Sequence, residues 1–480
     1  MSGLSRRQVI GVAGTAGLAM VAAGASAVPA HAVDHFVDTR AELDAAIAAA
    51  QPGDTITMAN GAWADMEIVL RTSGTAAAPI TLRAETRGGV HIIGTSYLQL
   101  VGDHLVVDGL RFRDGAAPLN HLHLIEFRGV EGGGYRHANN CRLTNVLVDR
   151  YNKAIGEGGK DVWVGLFGAD HEIDHCSFIG KTSESVLMIG WRATGDPNRW
   201  HIHHNYFSDI PNNGLSAAAL AIRLGDGNQA LTDSDSIIEY NLFERMEGIG
   251  RIVSLKCSNT VIRDNTFREA SGSICSRAGD RNTVERNFIL PGIGTNDGFY
   301  TGGMLMIGAG HVIRGNYVQG CRVRGKAALQ LYEGDTTNGP GEGSYYPTKD
   351  VTFENNTFVD NDKNIIVGMY YDPAKGLDVP VEDITYRQNA ILGNASANPV
   401  IETLDPPIGD IVYEDNQFFG GNLEGLEDIP GIEITDPGLV VQPDGTYRFA
   451  TGSPLAGNIT TEPLTTGDVG PVWEWEYVIS

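Results

Sequence analysis

The sequence predicts an all-β protein, a right-handed parallel β-helix, and three observations carry that expectation. First, a short pattern recurs: β-formers, a polar residue, an asparagine, then an aromatic or aliphatic pair. It reads "HHNYF" at Asn205, "EYNLF" at Asn241, "RDNTF" at Asn265, "ERNFI" at Asn287, "RGNYV" at Asn316, "ENNTF" at Asn356, "RQNAI" at Asn389 and "EDNQF" at Asn416, with looser versions at Asn145 and Cys176. Second, these asparagines are spaced by 22 to 40 residues, as in a common unit interrupted by loops of unequal length, and such periods signify stacked or radial architectures. Third, no stretch after Ala50 keeps apolar residues at helical spacing, whereas runs such as "HLVVDGLRF" and "DVTFENNTFV" are bounded by Gly, Asn and Asp turns. An asparagine buried once per coil can hydrogen-bond its counterparts above and below, satisfying amides that are otherwise costly inside. A β-propeller is the alternative, but the even blade period is missing.

The elements follow in order. Residues 1–32 read as a twin-arginine export signal: Arg6 and Arg7 precede a Gly/Ala-rich apolar run that ends in "AHA". The run is weakly apolar for a spanning helix, which needs ~20 strongly apolar residues. The mature chain is therefore expected to begin near Val33 and to be secreted, with no membrane association after cleavage. "TRAELDAAIAAAQPGD" predicts a short amphipathic helix that caps the first coil and shields its open edge. Residues 33–431 form the β-helix, and 432–480, ending in "GPVWEWEYVIS", a C-terminal cap. The chain's 480 residues are many for one compact domain, but coils add length without adding domains.

The formal net charge of -24 excludes general nucleic-acid binding, and an anionic partner then requires a locally basic groove. Five cysteines, odd in number and without CxxC spacing, do not make a disulfide framework. They read as small buried residues, with Cys257 and Cys275 stacked on neighbouring coils. The chain is expected to act as a monomer or homodimer.

Positive charge gathers in "GIGRIVSLKCSNTVIRDNTFREASGSICSRAGDR", residues 248–281. Lys256 and Arg277 are 21 positions apart, close to the 22 between Asn265 and Asn287. They should project together from coils ~4.8 Å apart; solvated outer-face residues are the structural alternative. Strict alternation puts Arg251 and Lys256 on opposite faces, so bringing them together needs a bend, expected near "SLK". The same alternation splits His201, His203 and His204, which speaks against a metal there. Nothing marks Asp233 and Asp235 as a hydrolase pair.

The block "GRIVSLKCSNTVIRDNTFREASGSICSRAGDRNTVERNFIL" resembles the central signature of polysaccharide lyase family 6, which contains alginate lyases and chondroitinase B. The resemblance runs upstream through "PGDTITMANGAWADMEIVL" and downstream through "MLMIGAGHVIRGNYVQG" to "GDVGPVWEW", nearly the whole mature chain. It implies a parallel β-helix whose partner is an anionic polysaccharide, alginate first, cleaved by β-elimination. Lys256 would take the proton from C5 of a uronate, and Arg277 would assist the departing O4. The substrate carboxylate must be neutralised for that proton to leave. A lysine base acts only as the neutral amine, a form that nearby guanidinium groups favour.

Calcium-dependent members carry two acidic ligands where this chain has Ile249 and Arg251, with an asparagine that Asn213 matches loosely. Isoleucine and arginine do not ligate a hard cation, so no metal or other cofactor is expected. Arg251 instead takes the ion's place through a charge-assisted contact to the carboxylate. By the same resemblance Arg281 binds a second uronate or braces the site, and Arg223 lies beside it on the preceding coil. Arg322, Arg324 and Tyr332 line the groove on later coils, and Ala278 stands where the family commonly has histidine. The alternatives are a lyase for a dermatan-type uronan, an inactive glycan-binding β-helix, and a glycoside hydrolase.

Overall fold

The computed structural model describes residues 32–156, 160–211, 220–247, 251–291, 302–322, 327–335 and 345–473. Each regular coil lays one strand on each of three long sheets, of 14, 14 and 12 strands, and successive coils pair in parallel. In one coil, Val261–Arg263 lies on the first sheet, Thr266–Ala270 on the second and Ser273–Ala278 on the third. The register is direct, with Val261 opposite Ile237 on one side and Thr283 on the other. This is the expected parallel β-helix.

The repeated motif explains the corner between the first two sheets. Its polar residue is left-handed: His204, Tyr240, Asp264, Arg286, Asn355, Gln388 and Asp415 have φ between 51 and 57°. That single residue turns the chain, and the asparagine after it points into the corner. From Asn205 to Asn416, each Nδ2 donates to the Oδ1 of the next asparagine at 3.0 Å. Asn265 shows the full pattern. Its Nδ2 also donates to the Ile238 and Arg263 carbonyls at 2.9 Å, and its Oδ1 accepts the Asn241 N–H at 2.9 Å. Two residues further on, the side chain points inward, and Phe178, Phe207, Phe243 and Phe267 stack at centroid separations of 5.2, 4.9 and 4.7 Å.

Asn145 departs from the expected pattern because it is itself the left-handed residue, with φ 53°. Its rung falls to Val146, and Cys176 fills the next, donating its N–H to Asn205 Oδ1 at 2.9 Å.

Outside, the first sheet balances its charges. His203, Glu239, Arg263, Glu285, Arg314, Glu354, Arg387 and Glu414 stand directly opposite one another from coil to coil. Arg263 meets Glu239 at 2.5 Å, Arg314 meets Glu285 at 2.6 Å and Arg387 meets Glu414 at 2.6 Å. Each opposed pair is worth ~0.2–1 kcal/mol.

The two ends differ from each other. The helix Arg40–Ala49 starts with a Thr39/Glu42 capping box and buries Leu43, Ala46 and Ile47 against the first coil. The tail does not simply close the far end. It runs back along the second sheet, where the Tyr447 N–H donates to Tyr317 Oη at 2.9 Å and the Leu464 N–H to Thr266 Oγ1 at 2.8 Å. Further on, the Gly470 N–H donates to the His204 carbonyl at 2.8 Å and Trp473 Nε1 to the Asn145 carbonyl at 3.3 Å. The reason is apolar surface: Leu147, Ile179, Tyr206 and Leu242 project from that sheet and are covered by Leu464, Val469 and Trp473.

All five cysteines are free and buried. Cys257 and Cys275 are not stacked, contrary to expectation. Cys257 lies in the central core just past its strand, while Cys275 sits mid-strand opposite Ser254 in a separate cluster with Leu305 and Tyr332.

Asn265→Ala would leave the Asn241 amides and two carbonyls without their partners, and is expected to cost about 3 kcal/mol. Urea denaturation measures it, and a loss below ~1 kcal/mol would show that the rung is not a stabilising element.

Candidate active site

The strand Arg251–Lys256 lies on the third sheet between Ile222–Leu224 and Ser273–Ala278. Its pairing with Ser273–Ala278 breaks twice: Arg251 is opposite Ser273 but Val253 is opposite Ile274, and Leu255 is opposite Ser276 but Lys256 is opposite Ala278. The first break inserts Ile252, and Ile252 and Val253 both point into the core, fully buried. Parity is thereby reset, and Arg251 comes to the same outer face as Ser254 and Lys256. The bend thus lies at Ile252, ahead of the "SLK" expected to hold it. The second break inserts Arg277 itself, beside Lys256. Bulges re-aim side chains in this way.

Lys256 is half-buried, its Nζ 3.4 Å from the Asp226 carbonyl oxygen. Gly225 permits this approach: its φ is 84°, and a Cβ there would lie 2.2 Å from the Lys256 carbonyl. The Arg277 guanidinium lies 4.2 Å from the centre of the Tyr345 ring. Tyr345 stacks on Tyr332 at 6.0 Å, and Tyr370 meets Tyr332 edge-on at 5.0 Å. Burial drives the Tyr332 phenol upward, Cys275, Tyr370 and Tyr345 add to that, and the Arg251 charge pulls the other way. Arg251, Tyr332 and the Arg277–Tyr345 pair therefore form one neighbourhood.

The other expected residues divide. Arg223 is on the outer face opposite Ser254, 5.9 Å from the Trp191 ring. Tyr332 is 2% exposed, so it supports the wall from beneath, and the ring open to solvent is Tyr370, 44% exposed. Arg281 is bound to Asp233 at 2.5 Å. Arg322 sits away from this face, past the second-sheet strand Tyr317–Gln319, where it meets Asp360 at 2.7 Å and Asp362 at 3.7 Å. Ala278 packs among Ala230, Cys275 and Ile307. Asn213, Ile249 and Arg324 lie outside the described residues. Residue 251, one of the positions assigned to calcium, carries a guanidinium that offers no oxygen to a metal, so that part of the site does not fit the ion.

Tyr345 and Tyr370 were not singled out in the sequence. Their signal was only an aromatic doublet, "YY", at 345–346 and again at 370–371. A second missed group lies upstream on the same face. Arg128 is held between Tyr135 and Phe167 at 3.9 and 3.8 Å, and Trp191 is parallel to Phe167 at 6.2 Å. Glu126 receives Arg128 at 2.7 Å, Gln99 at 2.9 Å and His123 at 3.0 Å. Trp191 Nε1 donates to His123 Nε2 at 3.1 Å, which leaves the His123 Nδ1 proton for Glu126. Burial opposes the Glu126 charge, but the bonds from His123, Arg128 and Gln99 outweigh it and hold the carboxyl down at about 2.

The histidines behave differently from the alternation argument. His203 lies 4.1 Å from His201, on the same face by alternation, and the left-handed turn at His204 swings that ring back to 5.1 Å from His203. Their rings meet carboxylates: His201 meets Glu239 at 2.7 Å and His203 meets Glu172 at 3.1 Å. Glu172, Asp174 and His203 have ligand atoms within 4.8 Å of one another. The Asp174 carboxylate, however, is already taken by Arg142 at 2.7 Å through two bonds, by Thr144 at 2.9 Å and by His175 at 2.7 Å. Asp233 and Asp235 are engaged too, by Arg281 and by Asn259 at 2.7 Å.

Comparison with known proteins bears on the family and the fold. The Chondroitinase B family model matches residues 37–393. Alginate lyase AlyGC, of family PL6, is 29% identical with a TM-score of 0.82 over 93% of this chain, which spans 59% of AlyGC's length. The PL6 lyase Pedsa3628 from Pseudopedobacter saltans is 26% identical, with a TM-score of 0.72 over 92% of this chain and 99% of its own. Alginate lyase AlyF-OU02 in complex with G6 is 22% identical, with a TM-score of 0.74 over 92% of this chain and 95% of its own, a likeness of fold. No curated protein matches the chain.

The Glu126 cluster generates a pH prediction. A carboxyl lowered from 4.5 to about 2 contributes stability that is complete above pH 4.5 and lost as pH falls towards 2. Glu126→Gln should therefore flatten the acid limb of the stability curve, by roughly 3 kcal/mol between those limits. Urea titrations from pH 6 to pH ~2 measure this, and identical acid limbs would refute it.

Proposed function

Because the chain belongs to polysaccharide lyase family 6, the family of chondroitinase B, we propose that it cleaves a uronate polymer, alginate first, by β-elimination without calcium. The single observation that carries this reading is the doubly broken register, which turns Arg251 to the face that holds Lys256 and Arg277. Arg251 binds the uronate carboxylate and neutralises it, as the C5 proton can leave only when the charge developing beside it is stabilised. Lys256 Nζ takes that proton. The C5 electron pair forms the C4=C5 double bond, the C4–O4 bond breaks, and O4 leaves with its electrons and is protonated with help from Arg277. The products are a new reducing-side hydroxyl and an unsaturated uronate.

The aromatic wall completes the reading. Tyr345 lies against the Arg277 guanidinium and limits its rotation, so the acid is aimed before substrate arrives. Tyr370 offers its partly open ring to a sugar face. The Chondroitinase B description of the matching family model favours a dermatan-type uronan as the second reading. Export follows from Arg6, Arg7 and the "AHA" site, since a polymer substrate is met outside the cell. The exported form should begin near Val33.

The test is ultraviolet absorbance of the conjugated uronate, with polymannuronate, polyguluronate and dermatan sulfate, each with and without EDTA. Absorbance should rise on an alginate block and be unaffected by EDTA at a temperature where the chain stays folded in EDTA; loss under that condition would sink the metal-free reading. Lys256→Ala and Arg277→Ala should each lower kcat by ~10²-fold or more, and Arg251→Ala should lower kcat/KM comparably. Tyr345→Ala should lower kcat about tenfold while Tyr345→Phe keeps it, since the ring face supplies the contact. Full activity in Lys256→Ala would overturn the mechanism.

A further inference from the structure

Glu333 follows the strand Leu329–Tyr332, three strands along the third sheet from Lys256, roughly 14 Å away. A register break opposite Met369 kinks the chain there, and the Glu333 N–H donates to the Met369 carbonyl at 3.1 Å. The residue is fully buried, yet neither carboxylate oxygen has a hydrogen bond of good geometry, the Val381 amide being the one donor directed at it. A buried polar group without a partner is rare and costs ~1–3 kcal/mol, more when charged.

The surroundings deepen the anomaly. Gly368, with φ 80°, is closely packed: a Cβ there would lie 2.6 Å from the Asp405 main-chain nitrogen. Glu333 Oε1 lies 3.0 Å from that point and the Asp405 main-chain carbonyl oxygen 3.1 Å from it. Asp378 stands between Leu377 and Val379, the residues that pair with Asp335 and Gly334 just past Glu333. The charges acting on Glu333 are those of Asp405 and Asp378, both negative, and only the Val381 amide favours its ionised form. Burial and those two carboxylates together push it up to about 7.

We propose that this corner is a binding site for a hard divalent cation of the calcium class, ligated by the Glu333 carboxylate and the Asp405 main-chain oxygen. Waters complete the shell, since such ions take six to eight oxygens. The Asp405 and Asp378 carboxylates supply negative field. The ion ties three later segments together: the end of Leu329–Tyr332, the Gly368 turn and the Asp405 turn. Its effect is on stability, independent of the lyase reading and distinct from the position that Arg251 occupies.

The experiment is thermal denaturation of the mature chain at pH 8, in EDTA and with Ca²⁺ or Mg²⁺ added, together with calorimetric titration of Ca²⁺. Ca²⁺ should raise Tm in proportion to the logarithm of its excess over Kd, with one ion per chain and a smaller response to Mg²⁺. Glu333→Gln should keep its Tm in EDTA and lose both the Ca²⁺ shift and the heat of binding. Asp378→Asn, on an exposed strand, should weaken Ca²⁺ about tenfold, the order by which ligand charge tunes such sites, and it serves if Glu333→Gln fails to fold. A wild-type Tm indifferent to Ca²⁺, an equal response to Mg²⁺, or a Ca²⁺ shift that survives in Glu333→Gln would overturn the proposal.

Discussion

The amide ladder from Asn205 to Asn416 is the interaction on which the other parts rest. Each asparagine satisfies its own donors and acceptor while also holding the main chain of its neighbours, as Asn265 does for Ile238, Arg263 and Asn241. Its amide groups are buried, so a slip by one residue would leave them unpaired and would turn the stacked Phe207, Phe243 and Phe267 outward. Register in this protein is therefore set at one corner. Insertions of unequal length are tolerated only away from it, which is why spacings range from 22 to 40 residues while the strands stay aligned.

That alignment decides where charge goes. The first sheet pairs its acids and bases rung by rung, and Arg281 and Arg322 are likewise held by carboxylates. The third sheet is built differently. Its regular pairing is interrupted at Ile252 and at Arg277, and the interruptions gather a lysine and two arginines beside tyrosine rings. A strongly acidic chain thus presents a basic, aromatic face in one place, the arrangement that an anionic sugar polymer requires.

Much of this was legible. The asparagine pattern announced the coil because its residues carry a physical requirement, a left-handed turn followed by a buried amide. The helix at Arg40–Ala49 was legible for the same reason, through Thr39 and Glu42. The positions of Lys256 and Arg277 on neighbouring strands followed from a coil of about 22 residues. The tail was harder to read: its apolar residues signalled packing, but where they pack depends on which outer residues of the second sheet lack cover. Cys257 and Cys275 were misjudged because close spacing in sequence does not tell a turn residue from a mid-strand one.

The sequence by itself determined the coil, the family and the two residues expected to move protons, because those depend on local turn chemistry and on a period that counting reveals. Only the tertiary structure decided that Arg251 shares a face with Lys256, that the Tyr345 ring meets Arg277, and that Glu333 is buried without a hydrogen bond of good geometry. A bulge shifts parity by one residue, and a loop folds back from far along the chain. Neither event leaves a periodic trace, since both are settled by which neighbours fill the space once the coils have stacked.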